Sequence, residues 1–242
     1  MGAASGAVGT IGLLIWKFKF LTFVILAKGK LLLLGLTKAS TFLSMFASVG
    51  VYWVEFGFPF ALGLVISIYL HEMGNVFALS RYGVAASAPL FIPGLGAFIR
   101  LKQDFHNPRQ DARVALAGPL WGLGAALICL ALYGLLRQPV LLALAHFGAL
   151  INLFNLIPIW QLDGGRVFRT LNRPERWLAV FALAMSWSIT KDGMMLILMA
   201  AGAFRAATDK PCPESDQSAL AQYIGLVAAL SFLSFSPIFQ VR

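Results

Sequence analysis

Residues 71–75 of this 242-residue chain read His-Glu-Met-Gly-Asn, one substitution away from the helical zinc motif HExxH. In that motif, two histidines one helical turn apart bind the metal, and the glutamate between them activates a water molecule. On a helix, His71 and Asn75 share one face, and Glu72 projects about 100° further round. The pentapeptide therefore has the spacing of two ligands and a base, with an amide at the second ligand position.

A second candidate stretch, NLFNLIPIWQLDGG, occupies residues 152–165. Pro158 removes a backbone donor and the two glycines after Asp163 allow a sharp turn, so the stretch predicts a break at the end of a helix. Two plainer alternatives stay open at this point. The first motif can be a hydrogen-bonded His-Glu pair at a helix end, and Asp163 can be an ordinary loop aspartate.

The composition indicates that these groups lie in a membrane. Hydrophobic residues make up 59% of the chain and charged residues 12%, which is too little polar surface for a soluble globule of this size. The formal net charge of +9 fits the cytoplasmic loops of a membrane protein. It does not indicate nucleic-acid binding, because no basic stripe or aromatic-basic platform is present. Cys129 and Cys212 are isolated and suggest neither a disulfide framework nor a C-x-x-C metal site.

The apolar segments predict an all-α polytopic membrane protein with about six transmembrane helices. We expect three parts: a basic interfacial N-terminal segment over 1–38, a core over 39–175, and C-terminal transmembrane helices over 176–242. Residues 177–204 form either one bent helix or a tight hairpin of short helices, because a Lys-Asp-Gly sequence interrupts them. The clear spans are predicted at 39–57, 59–80, 114–136, 139–160 and 218–238.

Two further features orient the site. Residues 84–102 are β-branched, aromatic and interrupted by prolines and glycines, which predicts a short membrane-associated β-hairpin. Basic residues cluster in the loops on one side of the spans, and the positive-inside rule makes that side cytoplasmic. We therefore predict a multi-pass protein of the cell membrane, with both motifs near the cytoplasmic side.

A metal ion gives the buried ionisable groups one shared explanation. Such groups cost on the order of 2.5–3.5 kcal/mol each within a span, so they tend to be paired, metal-bound or exposed to a wet cavity. Zn²⁺ accepts imidazole nitrogen and carboxylate oxygen, offsets acidic charge and leaves a position open for water. We therefore expect His71, Glu72 and Asp163 to meet at one zinc site.

Together these features resemble the site-2 protease family of intramembrane zinc metalloproteases. The resemblance covers about residues 45–175 and rests on four segments: HEMGN with the following VFALSRYGV, FIPGLGAFI at 91–99, ALAGPLWG at 115–122 and NLFNLIPIWQLDGGR at 152–166. It implies that residues 39–175 are a catalytic core. It also implies that His71 and Asp163 are zinc ligands, that Glu72 is the general base, and that position 75 is the second ligand of the first motif.

Asn75 departs from the family pattern. An amide oxygen is a poor substitute for imidazole on zinc, so we expect one Zn²⁺ ion that is weakly bound or absent. Two other histidines are weaker candidates to replace the missing imidazole. His106 lies in a cytoplasmic-side loop, and His146 would be about 25 Å from Asp163 along a continuous helix.

A transmembrane substrate hides its peptide bonds in helical hydrogen bonds and must be unwound before water can attack. An exposed edge of the hairpin at 84–102 would hold the unwound chain by strand addition, although the segment can equally be a structural loop that dips into the membrane. The family resemblance favours Asn155 as a residue that binds substrate backbone. Asn152 either does the same or satisfies carbonyls freed near Pro158.

Three functions are compatible with these patterns. The first is an intramembrane zinc metalloprotease that hydrolyses peptide bonds of transmembrane segments and is impaired by Asn75. Its partners would be a transmembrane protein substrate and membrane lipid. The alternative is a catalytically inactive pseudoprotease that binds transmembrane helices. The third is a small transporter, suggested by broken helices and buried charges, but the sequence contains no repeated half.

Overall fold

The computed structural model describes residues 38–85, 87–93, 96–99 and 107–235. The interfacial segment predicted over 1–38 therefore lies outside the described residues, apart from Lys38. The loop histidine His106 also lies outside them. Within the described ranges the chain forms helices α1 (Lys38–Phe56) and α2 (Phe58–Arg81), strands β1 (Leu90–Ile92) and β2 (Gly96–Phe98), and helices α3 (Pro108–Leu136), α4 (Pro139–Asn155), α5 (Asp163–Phe168), α6 (Arg173–Thr190), α7 (Gly193–Thr208) and α8 (Gln217–Phe235).

This architecture confirms the predicted all-α polytopic fold with a short β-hairpin. Three helices, α2, α3 and α8, are long and apolar enough to cross a bilayer by length and composition. Three further apolar stretches in α1, α4 and α7 are shorter. Large apolar side chains on the outer faces are exposed, as lipid-facing residues must be: they include Phe46, Val54, Leu135, Ile189 and Phe232.

Local sequence signals explain where several helices begin. A proline stands within the first two residues of α2, α3, α4 and α6, where its missing N–H has no helical partner to lose. The Asn107 side chain accepts the N–H of Arg109 and so caps α3. Asn172 and Glu175 form a reciprocal capping box at the start of α6.

The structure resolves the open question over residues 177–204 in favour of two helices. Helix α6 ends where Lys191 adopts a left-handed conformation with a φ of 55°. Asp192 then caps α7 by accepting the N–H of Met194 at 2.9 Å. The two helices pack against each other as a hairpin. The predicted span over 139–160 is too long, because α4 ends at Asn155, three residues before Pro158.

Helix α3 lies at the centre of the bundle, where it packs against α2, α4, α5 and α8. Helix α1 packs on α2 and on the hairpin, in which β1 and β2 are antiparallel. Two α1 side chains bind the outer edge of β1: Thr41 Oγ1 donates to the Pro89 carbonyl at 2.7 Å, and Ser44 Oγ accepts the Phe91 N–H at 3.1 Å. The outer edge of β1 is therefore covered by α1, whereas β2 lies against α2.

Candidate metal centre

The two sequence motifs meet inside the bundle. His71, Glu72 and Asn75 on α2 and Asp163 at the start of α5 are all buried, with exposed fractions between 3% and 8%. The Nε2 atom of His71 lies 3.1 Å from Oδ2 of Asp163. Residues 92 positions apart in the chain thus come within contact distance of each other, as one shared site requires.

Asp163 reaches this position because the chain breaks between α4 and α5. Trp160, in the middle of the break, has a left-handed φ of 42°, and its side chain is 85% exposed. The two glycines after Asp163 do not serve the sharp turn that the sequence suggested, since neither has a positive φ. They allow close approach instead: a Cβ on Gly164 would lie 2.0 Å from the Leu156 carbonyl oxygen, and one on Gly165 would lie 2.6 Å from that of Ile159.

An arginine and a second aspartate hold Asp163 from the other side. Arg166 Nη1 lies 3.3 Å from Oδ1 of Asp163, in the next turn of the same short helix. The Nε and Nη2 atoms of Arg166 both donate to Oδ1 of Asp111 on α3, at 2.9 and 2.6 Å. One carboxylate oxygen of Asp163 is therefore engaged by Arg166, and the other is directed at His71. The sequence identified neither Arg166 nor Asp111 as part of the site.

Asn75 is tied to the central helix. Its Oδ1 accepts the backbone N–H of Gly118 at 2.8 Å. Helix α3 can approach this closely because Gly118 has no side chain: a Cβ there would lie 2.7 Å from both Asn75 Oδ1 and His71 Nε2. Gly74 makes the matching approach from α2, where a Cβ would lie 2.6 Å from the Ala117 carbonyl oxygen. The small residues of the HEMGN and ALAGPLWG segments thus bring α2 and α3 together at the site.

Asn152 on α4 contacts the other ring nitrogen of His71. Its Oδ1 lies 2.8 Å from His71 Nδ1, and its Nδ2 donates to the Gly148 carbonyl at 2.7 Å. The Gly148 carbonyl lies one turn before Asn152 and is not one of the carbonyls near Pro158 that the sequence suggested for it. A role of Asn152 in binding substrate stays a prediction. Asn155, at the last residue of α4, is partly exposed. His146 packs edge-on against Phe147.

The donor set fits a zinc ion at two positions and fits it poorly at a third. His71 Nε2 and Asp163 Oδ2 are strong ligand types placed side by side, and the hydrogen bond at Nδ1 is the partner that metal-binding histidines usually have. Asn75 offers an amide oxygen that already accepts one N–H. Within the described ranges, no group of three or more His, Cys, Asp or Glu side chains is placed to hold a metal ion.

Known proteins similar to this chain include zinc metalloproteases. Residues 59–141 match the model of Peptidase family M50. Zinc metalloprotease MJ0392 of Methanocaldococcus jannaschii is 30% identical over 113 residues, which cover 45% of this chain and 32% of that protein. Rip2 of Mycobacterium tuberculosis is 31% identical over 180 residues, which cover 59% of this chain and 70% of that protein.

A solved structure, the Site-2 Protease from Methanocaldococcus jannaschii, aligns with 73% of this chain and 90% of that chain, with a TM-score of 0.43 and 20% identity. The present chain spans about a third of the length of MJ0392 but more than two thirds of Rip2. The family match includes α2 from its second residue, with the His71 motif, and the whole of α3. This chain therefore belongs to peptidase family M50, the family of the site-2 proteases.

Proposed function

We propose that this protein is an intramembrane zinc metalloprotease of the site-2 protease type, which hydrolyses peptide bonds of transmembrane segments and is impaired by Asn75. The observation that supports this most strongly is the 3.1 Å contact between His71 Nε2 and Asp163 Oδ2 inside an apolar bundle. Glu72, the neighbour of His71, is equally buried at 8% exposure. Catalytic zinc usually has three protein ligands and a nearby general base, so an imidazole, a carboxylate and a separate acid supply all of this set except the ligand at position 75.

Four residues, His71, Asp163, Arg166 and Glu72, take part in the proposed reaction. His71 Nε2 and Asp163 Oδ2 would hold the metal, and Arg166 fixes the second oxygen of Asp163. Bound zinc supplies a Lewis acid that polarises the scissile carbonyl and lowers the pKa of a water molecule. The Glu72 carboxylate accepts a proton from the attacking water and then returns it to the leaving amine.

Asn75 is expected to weaken metal binding for two reasons. Zinc prefers nitrogen and sulfur donors to an amide oxygen, and the oxygen of Asn75 already accepts the Gly118 N–H. Loss of a supporting hydrogen bond to a ligand costs about 10–100-fold in affinity or activity, so loss of a ligand nitrogen costs at least as much.

The substrate is proposed to enter as an unwound transmembrane segment from the lipid. The outer edge of β1 is bound by α1, so strand addition would use β2, which lies against the helix that carries His71. Asn155, partly exposed at the end of α4, is proposed to bind the substrate backbone. The positive-inside rule puts this end of the bundle, and hence the active site, on the cytoplasmic side of the cell membrane.

One observation favours the alternative of a non-catalytic protein that binds transmembrane helices. The Asn75 amide is built into the contact between α2 and α3 through the Gly118 N–H, so position 75 has a structural partner that does not involve metal. Such a protein would keep the substrate groove and lack turnover.

Zinc content and cleavage, measured for the unsubstituted chain and for Asn75→His, separate the two functions. We expect the unsubstituted chain to purify with little zinc and to cleave a labelled model transmembrane segment slowly, and Asn75→His to gain both zinc and activity. Zinc content and cleavage as high in the unsubstituted chain as in Asn75→His would contradict the impairment by Asn75. Absence of zinc and cleavage from both proteins would contradict the protease function.

A further inference from the structure

We infer that Asn152 is a positioning residue that holds the imidazole of His71 with its Nδ1 protonated and its Nε2 directed at Asp163. The significance of Nε2 rests on the proposed function, in which that atom binds zinc. The geometry of the Asn152 contact itself does not depend on metal. It joins α2 to α4 across 81 positions of sequence, deep within the bundle.

The hydrogen bonds of Asn152 determine which atom faces the imidazole. Its amide nitrogen donates to the Gly148 carbonyl at 2.7 Å, and a carbonyl can only accept. The atom 2.8 Å from His71 Nδ1 is therefore the amide oxygen, which also can only accept. Nδ1 must then carry the proton, and the ring orientation that follows leaves Nε2 facing the carboxylate of Asp163.

A third helix is shaped to leave room for this contact. A Cβ on Gly122 of α3 would lie 2.1 Å from Oδ1, 2.3 Å from Nδ2 and 2.4 Å from Cγ of Asn152. Glycine at this position therefore admits the whole amide group between α3 and α4. At 2% exposure, Asn152 is shielded from bulk solvent.

An amide suits this place better than the carboxylate that often supports metal-binding histidines. Glu72 and Asp163 already put two acids close to His71. A further carboxylate on α4 would add a buried negative charge inside a membrane span, where charges are costly. The neutral amide accepts the hydrogen bond from His71 Nδ1, and its own hydrogen bond to the Gly148 carbonyl fixes its orientation.

A purely structural role for Asn152 would consist of its bond to Gly148 alone, so the test must separate the two hydrogen bonds. Asn152→Leu keeps the approximate size and removes both bonds. Asn152→Asp keeps the acceptor for His71 and removes the donor to Gly148. Ser234→Ala is the matched control, because it also removes two side-chain hydrogen bonds, to Asp192 and to the Ser231 carbonyl, on a different helix.

The first readout is the protonation of the His71 ring in the metal-free full chain, by NMR with ¹⁵N-labelled histidine. The chain has three histidines, so His106→Gln and His146→Gln assign the remaining signal. We expect an Nδ1–H signal from His71 in the unsubstituted chain, in Asn152→Asp and in Ser234→Ala. We expect Asn152→Leu to lose this signal. Gly122→Ala, which displaces the amide without altering it, should also lose the signal.

The second readout is zinc affinity by chelator competition in the Asn75→His chain, where binding is expected to be measurable. Adding Asn152→Leu should weaken zinc by about 10–100-fold, whereas Asn152→Asp and Ser234→Ala should stay within about threefold. An unprotonated His71 Nδ1 in the unsubstituted chain overturns the inference by itself. Retention of both the Nδ1–H signal and zinc affinity in Asn152→Leu overturns it as well.

The outcomes distinguish this inference from the proposed function. One outcome is that the Nδ1–H signal depends on Asn152 as expected but neither the unsubstituted chain nor Asn75→His binds zinc. In that case the metalloprotease proposal fails and the positioning of His71 by Asn152 stands. If zinc binds to Asn75→His and is indifferent to Asn152→Leu, the metalloprotease proposal stands and the positioning role fails.

Discussion

Two regions of this molecule bury ionisable side chains in an apolar bundle, and their charges are satisfied in different ways. Arg176, in the first turn of α6, lies against the C-terminal end of α7 and is 1% exposed. It donates to backbone carbonyls alone, those of Phe168, Arg205, Asp209 and Lys210. The neighbouring cation, Arg205, pairs with Asp209 and donates to the Gly165 carbonyl. In this region the donors are matched by nearby acceptors.

At the candidate metal centre, a histidine and two carboxylates are buried together. His71 Nε2 lies 3.1 Å from Asp163, and Glu72 is buried beside them. Arg166 pairs with Asp163, and both Arg166 and Arg169 pair with the partly exposed Asp111. An imidazole that faces a carboxylate is a ligand pair that a bound cation would complete. Burial of charge alone therefore does not distinguish the two regions, whereas the pairing of a histidine with a carboxylate does.

The largest expected effect concerns chemistry at the metal centre. In the Asn75→His chain, Glu72→Gln should lower the rate of cleavage by about 10²–10⁴-fold, because the general base is lost. The zinc content should stay unchanged, because Glu72 is not proposed as a ligand. The initial rate on a labelled transmembrane segment and zinc per purified chain are the measurements. Unchanged cleavage would remove Glu72 from the mechanism.

The next effect tests the carbonyl-bound region. Arg176→Met leaves four backbone carbonyls without this donor, and should lower the free energy of unfolding by about 3 kcal/mol. Denaturant titration in detergent gives the value, and Arg173→Met, at an exposed position of the same helix, is the control. When Arg176→Met is added to the Asn75→His chain, the folded protein should keep the zinc affinity of Asn75→His alone. A change in stability no larger than that of the control would show that the region tolerates unmatched acceptors.

A smaller effect should follow from the support of Asp163. Asp111→Asn weakens the hold on Arg166, whose guanidinium is then free to bind Asp163 more tightly and to compete with the metal. We expect zinc affinity of the Asn75→His chain to fall by about tenfold, measured by chelator competition. Equal affinity in both proteins would mean that Arg166 is positioned without Asp111.

The smallest effect is expected outside both regions. The pair between Arg109 and Glu214 joins side chains that are 48% and 71% exposed. Glu214→Gln should change the free energy of unfolding by less than about 0.5 kcal/mol, because solvent screens such a pair. It also serves as the control for Asp111→Asn, since both variants neutralise one acid that is paired with arginine. A large loss of stability would mean that the loop before α8 contributes more than its exposure indicates.

Much of the fold was predictable because local signals decide it. Apolar length placed the helices, and the Pro158 break and the hairpin at 84–102 were recognisable from residue type. The division of 177–204 was not decided by the sequence, since a left-handed Lys191 carries no strong signature and Asp192 caps α7 through a contact that a bent helix would lack.

The candidate site was predictable in its motif residues and not in what supports them. Spacing within a helix suggested His71, Glu72 and Asn75 together, and the cost of burying ionisable groups in a span added Asp163. The partners of these groups come from elsewhere: Asn152 is 81 positions from His71, and Asp111 is 55 positions from Arg166. No periodicity links such pairs, because they depend on how α3 and α4 pack.

The exposed indole at the break between α4 and α5 has a consequence for measuring depth. Trp160 is three residues before Asp163, and its side chain projects outward from a fixed left-handed turn. Tryptophan favours the level of the lipid headgroups, where a ring can meet both hydrocarbon and water. Trp160 can therefore be retained while the other tryptophans are replaced. Quenching of its emission by lipids brominated at successive carbons would then measure how far below the membrane surface Asp163 lies.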